Sequence, residues 1–199
     1  LEIQGVIEFC ELLLQFREVD RNIQLPRREQ DENDAEHSYM LAMTAWYIAS
    51  KVTASLNVNL VVKYALAHDL IETYAGDTYI YDTERTADKH EREKLATEIL
   101  RRNYPDFDEL HELIGRYEQQ ADAEARFVYA LDKIVPVIMV YIGEGNSWHR
   151  DSVTLAMLRA HKDDKVKVSP EVAALWGQLM DLLQGRPELF PKTAAPSRA

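Results

Sequence analysis

One cysteine in 199 residues, Cys10, leaves no partner for an internal disulfide and too few thiolates for a structural zinc site. No apolar stretch approaches the roughly 20 residues needed to span a bilayer, and the first residues read as an amphipathic helix rather than a signal segment. A cytoplasmic protein without a membrane partner is expected. Basic residues are outnumbered, 23 against 34 acidic, giving a net charge of -11. That balance argues against a nucleic-acid polymer or an anionic membrane as partner, yet allows a small phosphorylated ligand drawn to a local cationic pocket. Alternating or β-branched runs long enough for strands are nearly absent, so the chain reads as all-α.

What is present is helical periodicity. With 46% apolar and 29% charged residues the composition is that of an ordinary globular domain with a substantial core. A first helix is expected over about residues 2 to 19, with Ile3, Val6, Ile7, Cys10, Leu13 and Leu14 on its buried stripe. A basic, proline-containing loop then runs from Arg21 to Asn33. A second helix opens at Asn33-Asp34 and carries His37, with Trp46 and Tyr47 in its core-facing set; a third, capped near Asn57 or Asn59, carries His68, Asp69 and Glu72. Further helices are expected over about 86 to 102, 107 to 118, 122 to 142 and 151 to 161, and a last one from Ser169-Pro170 to about Leu183. The domain is placed at residues 1 to 185, and the proline-bearing stretch 186 to 199 is expected to be an extended tail.

The chemistry concentrates in the doublet His68-Asp69, joined by His37 upstream and Asp132 downstream. Two imidazoles and two carboxylates from three apolar segments are what a divalent metal needs once those segments pack together, and a mixed nitrogen and oxygen set suits a catalytic ion. On a helix Glu72 shares a face with His68 and Asp69. A carboxylate there can take a proton from the attacking water, the general-base role in metal-assisted hydrolysis. Asp77, just past Gly76, is a candidate for substrate contact. His90, His111, His149 and His161 have no partner doublet, which favours one metal ion over two. Trp148, following Gly143, Gly145 and Asn146, is expected on a loop.

The segments Asp31-Glu32-Asn33-Asp34-Ala35-Glu36-His37-Ser38, His68-Asp69-Leu70-Ile71-Glu72-Thr73-Tyr74-Ala75-Gly76-Asp77 and Tyr117-Glu118-Gln119-Gln120-Ala121-Asp122, which leads into Leu131-Asp132-Lys133, resemble the HD-domain metal-dependent phosphohydrolases. They are similar above all to the branch of bacterial 5'-deoxynucleotidases and eukaryotic HD-domain-containing protein 2, over roughly residues 10 to 185. The resemblance implies a helical fold, one divalent ion (manganese, cobalt, zinc, iron or magnesium) on His37, His68, Asp69 and Asp132, and hydrolysis of a nucleoside 5'-monophosphate. It places catalysis on Glu72 with Asp69, and substrate binding on Asp77 and on Arg21, the arginine before the first histidine. It also implies a homodimer, to which the apolar first and last helices are suited. Where the bacterial enzymes show tryptophan after that arginine, this chain has Asn22, which leaves the choice between ribose and deoxyribose open.

Taken singly, His37 or Asp132 is an ordinary polar residue of a helix, and the ordered motifs make them ligands together with His68 and Asp69; Arg21, Arg27 and Arg28 lie in a loop where cations are ordinarily solvated, with Arg21 the candidate for phosphate. Two other readings use the same residues. One is a phosphodiesterase or pyrophosphohydrolase acting on a signalling nucleotide. The other is a non-catalytic helical module that binds a metal or nucleotide, for which Glu72 and Asp77 would be superfluous.

Overall fold

The computed structural model describes residues 2–27, 29–52, 55–79, 81 and 87–192. Arg28, Thr86 and the tail from 193 onward lie outside them. Helix α1 (Ile3–Phe16) leads into an antiparallel hairpin, β1 (Asp20–Gln24) and β2 (Asp31–Asn33), in which Asp20 pairs with Asn33 and Gln24 with Asp31. Helices α2 (Asp34–Ala49), α3 (Val58–Ala67) and the single turn α4 (Glu72–Ala75) follow. The chain continues through α5 (Lys89–Asn103), α6 (Asp108–Glu118), α7 (Ala123–Ile142), α8 (Asn146–Arg150), α9 (Leu155–Val166) and α10 (Pro170–Gln184), and a 3-10 turn spans Pro187–Leu189.

Local chemistry sets the helix starts. Asn33 accepts from the Glu36 amide at 3.0 Å while the Glu36 carboxylate accepts from the Asn33 amide at 3.2 Å, a reciprocal box at the start of α2. Asn57, Asp122, Thr154 and Ser169 cap α3, α7, α9 and α10 through their side-chain oxygens. Helix α7 is the axis of the larger core. Its Phe127, Val128, Leu131, Ile134 and Val135 are buried among Leu41, Ala45, Tyr64 and Ala65 of α2 and α3 and Val166, Val172 and Trp176 of α9 and α10. A second core joins Leu12 and Phe16 of α1 to Leu70, Ile71, Leu100 and Ile114. The His68-Asp69 doublet lies in the turn between α3 and α4, where the two cores meet.

The all-α expectation holds, with local corrections. The 21 to 33 loop is a hairpin, whose strands of five and three residues are too short for a period of two to register. In α1 the expected stripe faces outward: Leu12 and Phe16 are buried, whereas Ile3, Val6, Ile7, Cys10, Leu13 and Leu14 are exposed. Trp46 and Tyr47 are likewise exposed, at 53% and 67%. Both helices are apolar on more than one side, so periodicity alone does not choose the inward face. Helix α3 stops at Ala67, so His68, Asp69 and Glu72 do not share one helix. Tight amide bonds from Leu70 to Ala67 and from Glu72 to Asp69 carry the chain into α4.

The helix expected near 151 to 161 runs from Leu155 to Val166, and Trp148 lies on the short helix α8 rather than a loop. The beginning of the tail is not extended. Leu189 and Phe190 are buried, and the Phe190 ring stacks on Trp148 at 4.7 Å, because two apolar side chains follow Pro187 and find an uncovered indole.

Candidate metal centre

His37 lies on the first turn of α2, four residues past the Asn33 cap, and Asp132 lies midway along α7. The turn after α3 supplies His68 and Asp69. One ligand atom from each of His37, His68, Asp69 and Asp132 lies within 4.8 Å of all the others. His37 Nε2 is 2.9 Å from Asp132 Oδ1; His68 Nε2 is 2.9 Å from Asp69 Oδ2 and 3.7 Å from Asp132 Oδ1, without hydrogen-bonding geometry to either. Both Nε2 atoms thus converge on carboxylate oxygens.

Both far ring nitrogens face an acceptor, and that of His68 is hydrogen-bonded. His68 Nδ1 is 3.0 Å from the Ala65 carbonyl, which as an acceptor calls for the proton on Nδ1 and leaves the Nε2 lone pair for a ligand. His37 Nδ1 is 3.4 Å from Oε2 of the fully buried Glu32. A carboxylate behind a histidine is the usual support for a metal-binding imidazole.

Negative charge dominates this region, and the fold gathers cations to it. Glu32, Asp34, Glu72 and Asp132 are all buried. Arg21 donates from one nitrogen to Asp34 and Asp69, each at 2.9 Å, and Lys133 donates to Asp132 at 2.5 Å. Burial opposes charge on His68, but Asp69 and Asp132 lift its pKa to about 9. Burial, with Asp69 adding to it, raises Asp34 to about 6 and Glu72 well above the usual carboxylate range. Burial also works against charge on Asp132, yet Lys133 and the two histidines hold it well below that range. A buried cluster that raises the proton affinity of its own histidine is chemically suited to a divalent cation, and the nitrogen and oxygen donors fit one.

The other residues singled out in the sequence fall at defined places. Glu72 opens α4, with a carboxylate oxygen within 4.8 Å of Asp34 and Asp69, so its juxtaposition with the doublet survives the loss of the shared helix. Arg21 reaches Asp69 from β1, and Asp77 lines the same cleft as Arg21 and Asp132. Arg27 lines a different groove with Pro26, Met40 and Met139. His111, bonded through Nε2 to the Tyr104 carbonyl at 2.7 Å, and His149, bonded to that of Glu188 at 3.0 Å, stand away from the cluster. Glu32, Asp34 and Lys162 were missed as individual positions. The first two belong to the quoted acidic segment, but their inward direction depends on the hairpin.

Two clefts meet at Asp132 and Lys133. One has a volume of about 110 Å³ and passes along Lys133, Pro136, Val137 and Val140 of α7, walled by Tyr79, Tyr81, Trp148 and Leu158. Asn22 is fixed beside it, donating to Asp151 and accepting from Arg150, each at 2.8 Å. The other cleft is lined by His68, Asp69 and Glu72 together with Lys89, Glu93 and Tyr117; Lys89 and Glu93 are paired at 3.3 Å.

A family model described as HD domain matches residues 13–176. The chain belongs to the HD-domain family. Curated HD-domain relatives include 5'-deoxynucleotidase HDDC2 of Xenopus laevis, 32% identical over 65% of this chain and 65% of that protein, and that of Homo sapiens, 33% identical over 65% and 64%. The matched stretch thus spans just under two thirds of their length. A crystal structure titled as a predicted metal-dependent phosphohydrolase from Magnetospirillum magnetotacticum aligns with a TM-score of 0.82 and 31% identity, covering 95% of this chain and 96% of that one. A Pyrococcus horikoshii structure shares the fold, with a TM-score of 0.61 at 20% identity.

Proposed function

We propose that this HD-domain chain is a metal-dependent phosphomonoesterase that hydrolyses ribo- or deoxyribonucleoside 5'-monophosphates to nucleoside and phosphate. One observation carries the reading: the cluster of His37, His68, Asp69 and Asp132 sits where two clefts meet, one lined by His68, Asp69 and Glu72, the other cationic where it adjoins Asp132 and apolar and aromatic along α7. From Asp132 to Val140 is eight residues of one helix, about 12 Å at the helical rise, which leaves room for a sugar and base beyond a phosphate at the cluster. The names of the curated relatives point to the same substrates.

A single divalent ion on the four ligands would supply Lewis acidity, polarising the phosphoryl oxygens and acidifying water. Glu32 and the Ala65 carbonyl keep the two imidazoles turned toward it. Glu72, seated beside Asp69, takes the proton of the attacking water, and Asp69 helps to direct that water at phosphorus. Arg21 offsets charge on the phosphate, and Asp77 contacts the sugar or assists the departing hydroxyl. No membrane or nucleic-acid polymer enters this reading. Among the described residues no helix is long and apolar enough to cross a membrane. A homodimer is part of the reading: Ile3, Ile7 and Leu14 of α1 and Tyr39, Met43, Trp46 and Tyr47 of α2 leave apolar faces that a second copy would cover. Light scattering that returns the mass of one chain would remove that element.

The activity is tested by incubating metal-stripped protein, resupplied with manganese, cobalt, zinc or magnesium, with a panel of ribo- and deoxyribonucleoside 5'-monophosphates, a cyclic dinucleotide and a nucleoside triphosphate. Phosphate and nucleoside are the expected products from the monophosphates. Glu72→Gln should retain the metal and lose about 100- to 10,000-fold in rate, the usual worth of a positioned base. Turnover confined to the cyclic dinucleotide or the triphosphate would move the assignment to diester or pyrophosphate chemistry.

A further inference from the structure

The catalytic reading uses Arg21 and the acidic cluster but leaves one buried cation unexplained. Lys162, on α9, is only 7% exposed and lines the cleft that adjoins Asp132. Every other cation on that wall is matched: Arg21 by Asp34 and Asp69, Lys133 by Asp132. Among the described residues Lys162 makes no ion pair or hydrogen bond, and its ammonium nitrogen is not sealed in, so it opens into the cleft. Its position is fixed, because the next residue, Asp163, accepts from the Trp176 indole at 2.8 Å and ties α9 to α10. Leu158 and Val166, one turn away on either side, are buried.

Burying an unmatched ammonium beside Lys133 works against folding unless an anion arrives to meet it. Such a group has no value as a structural element, since an apolar residue of the same length would fill the space at lower cost. It has value as a fixed positive point on the wall of an anion site. We propose that Lys162 binds the phosphate group of the substrate, acting with Arg21 and Lys133 to complete a three-cation cradle at the Asp132 end of the cleft. This rests on the phosphomonoesterase reading for the identity of the substrate, but the binding of phosphate itself does not.

The test uses the full chain loaded with metal, with inorganic phosphate as probe. Phosphate should raise the melting temperature of the wild type and should do so much less in Lys162→Met, whose apparent Kd for phosphate is expected to be 10- to 100-fold weaker. Turnover of a nucleoside 5'-monophosphate should lose a similar factor in kcat/KM, mostly through KM, with partial recovery in Lys162→Arg. The wild type gives a readout independent of any variant's folding: the side-chain carbon signal of Lys162 should shift as phosphate is added. A Lys162 signal that stays still, or unchanged phosphate affinity in Lys162→Met, overturns the proposal. Phosphate binding that depends on Lys162, in a protein that hydrolyses no monophosphate, upholds the anion site and overturns the phosphomonoesterase reading instead.

Discussion

His37 has behind it a carboxylate that a linear motif does not display. The motif marks it as a candidate ligand, and Glu32 lies fully buried 3.4 Å from Nδ1, near enough to orient the ring once a metal is bound. Glu32→Gln should therefore leave the fold intact and weaken metal affinity about 10- to 100-fold, measured by competition with a chelator; unaltered affinity would remove Glu32 from the support of the site. Lys162 gives a pH signature. Burial, with Lys133 on α7 and Lys165 on its own helix adding to it and Asp132 opposing, pushes its pKa from 10.5 down to about 7, while Arg21 on β1 also disfavours its charge. A lysine whose folded pKa lies below its unfolded value destabilises most where both states carry the charge, below about pH 7. That penalty is relieved as pH rises toward 10.5, because only the folded state has lost its proton. Lys162→Met should accordingly melt higher than wild type at pH 6, with the gap closing by pH 10; a gap that does not change with pH would contradict the assigned environment. The gathering of His37, His68, Asp69 and Asp132, with Glu72 beside Asp69, was legible as residue types in order, because metal chemistry restricts which side chains serve. Lys162 was not, since a lone lysine on a charged helix is ordinarily solvated.

At the scale of elements, helix starts were the most legible feature, because Asn33, Asn57, Asp122 and Ser169 act on amides two or three residues away. The β1–β2 hairpin was illegible, and with it the inward direction of Arg21 and Glu32, because its pairing is made across the chain rather than along it. The outward faces of α1 and α2 were misjudged for the same reason: which apolar side is covered depends on neighbours that periodicity does not name. The segment after α10 shows what a composition rule misses. Pro187 starts a 3-10 turn that brings Leu189 over Gly145, and Phe190 then stacks on Trp148, a wall of the cleft. Gly145 has φ +78°, and a Cβ there would collide with the Leu189 carbonyl. Gly145→Ala should cost about 1 to 3 kcal/mol, lowering the melting temperature by roughly 2 to 4 °C per kcal/mol in a chain of this size. A variant as stable as wild type would show that this segment does not press on α8.

The whole molecule brings two cores together at a buried acidic cluster and leaves a cleft leading away from it. A net charge of -11 makes such a protein a poor ligand for polyanions, while Arg21, Lys133 and Lys162 supply a local exception of opposite sign where the cleft adjoins Asp132. On the proposed reading this arrangement serves one chemistry, hydrolysis of a small phosphate ester at one metal ion. The most direct measurement is a titration of metal-stripped protein with manganese or cobalt, following phosphate release from a deoxyribonucleoside 5'-monophosphate alongside bound metal. Release should rise linearly and saturate at one equivalent per chain in the wild type, and Asp69→Ala should show neither tight metal binding nor release. Release that needs no metal, saturates only at two equivalents, or survives in Asp69→Ala would contradict a single-metal centre built on His37, His68, Asp69 and Asp132.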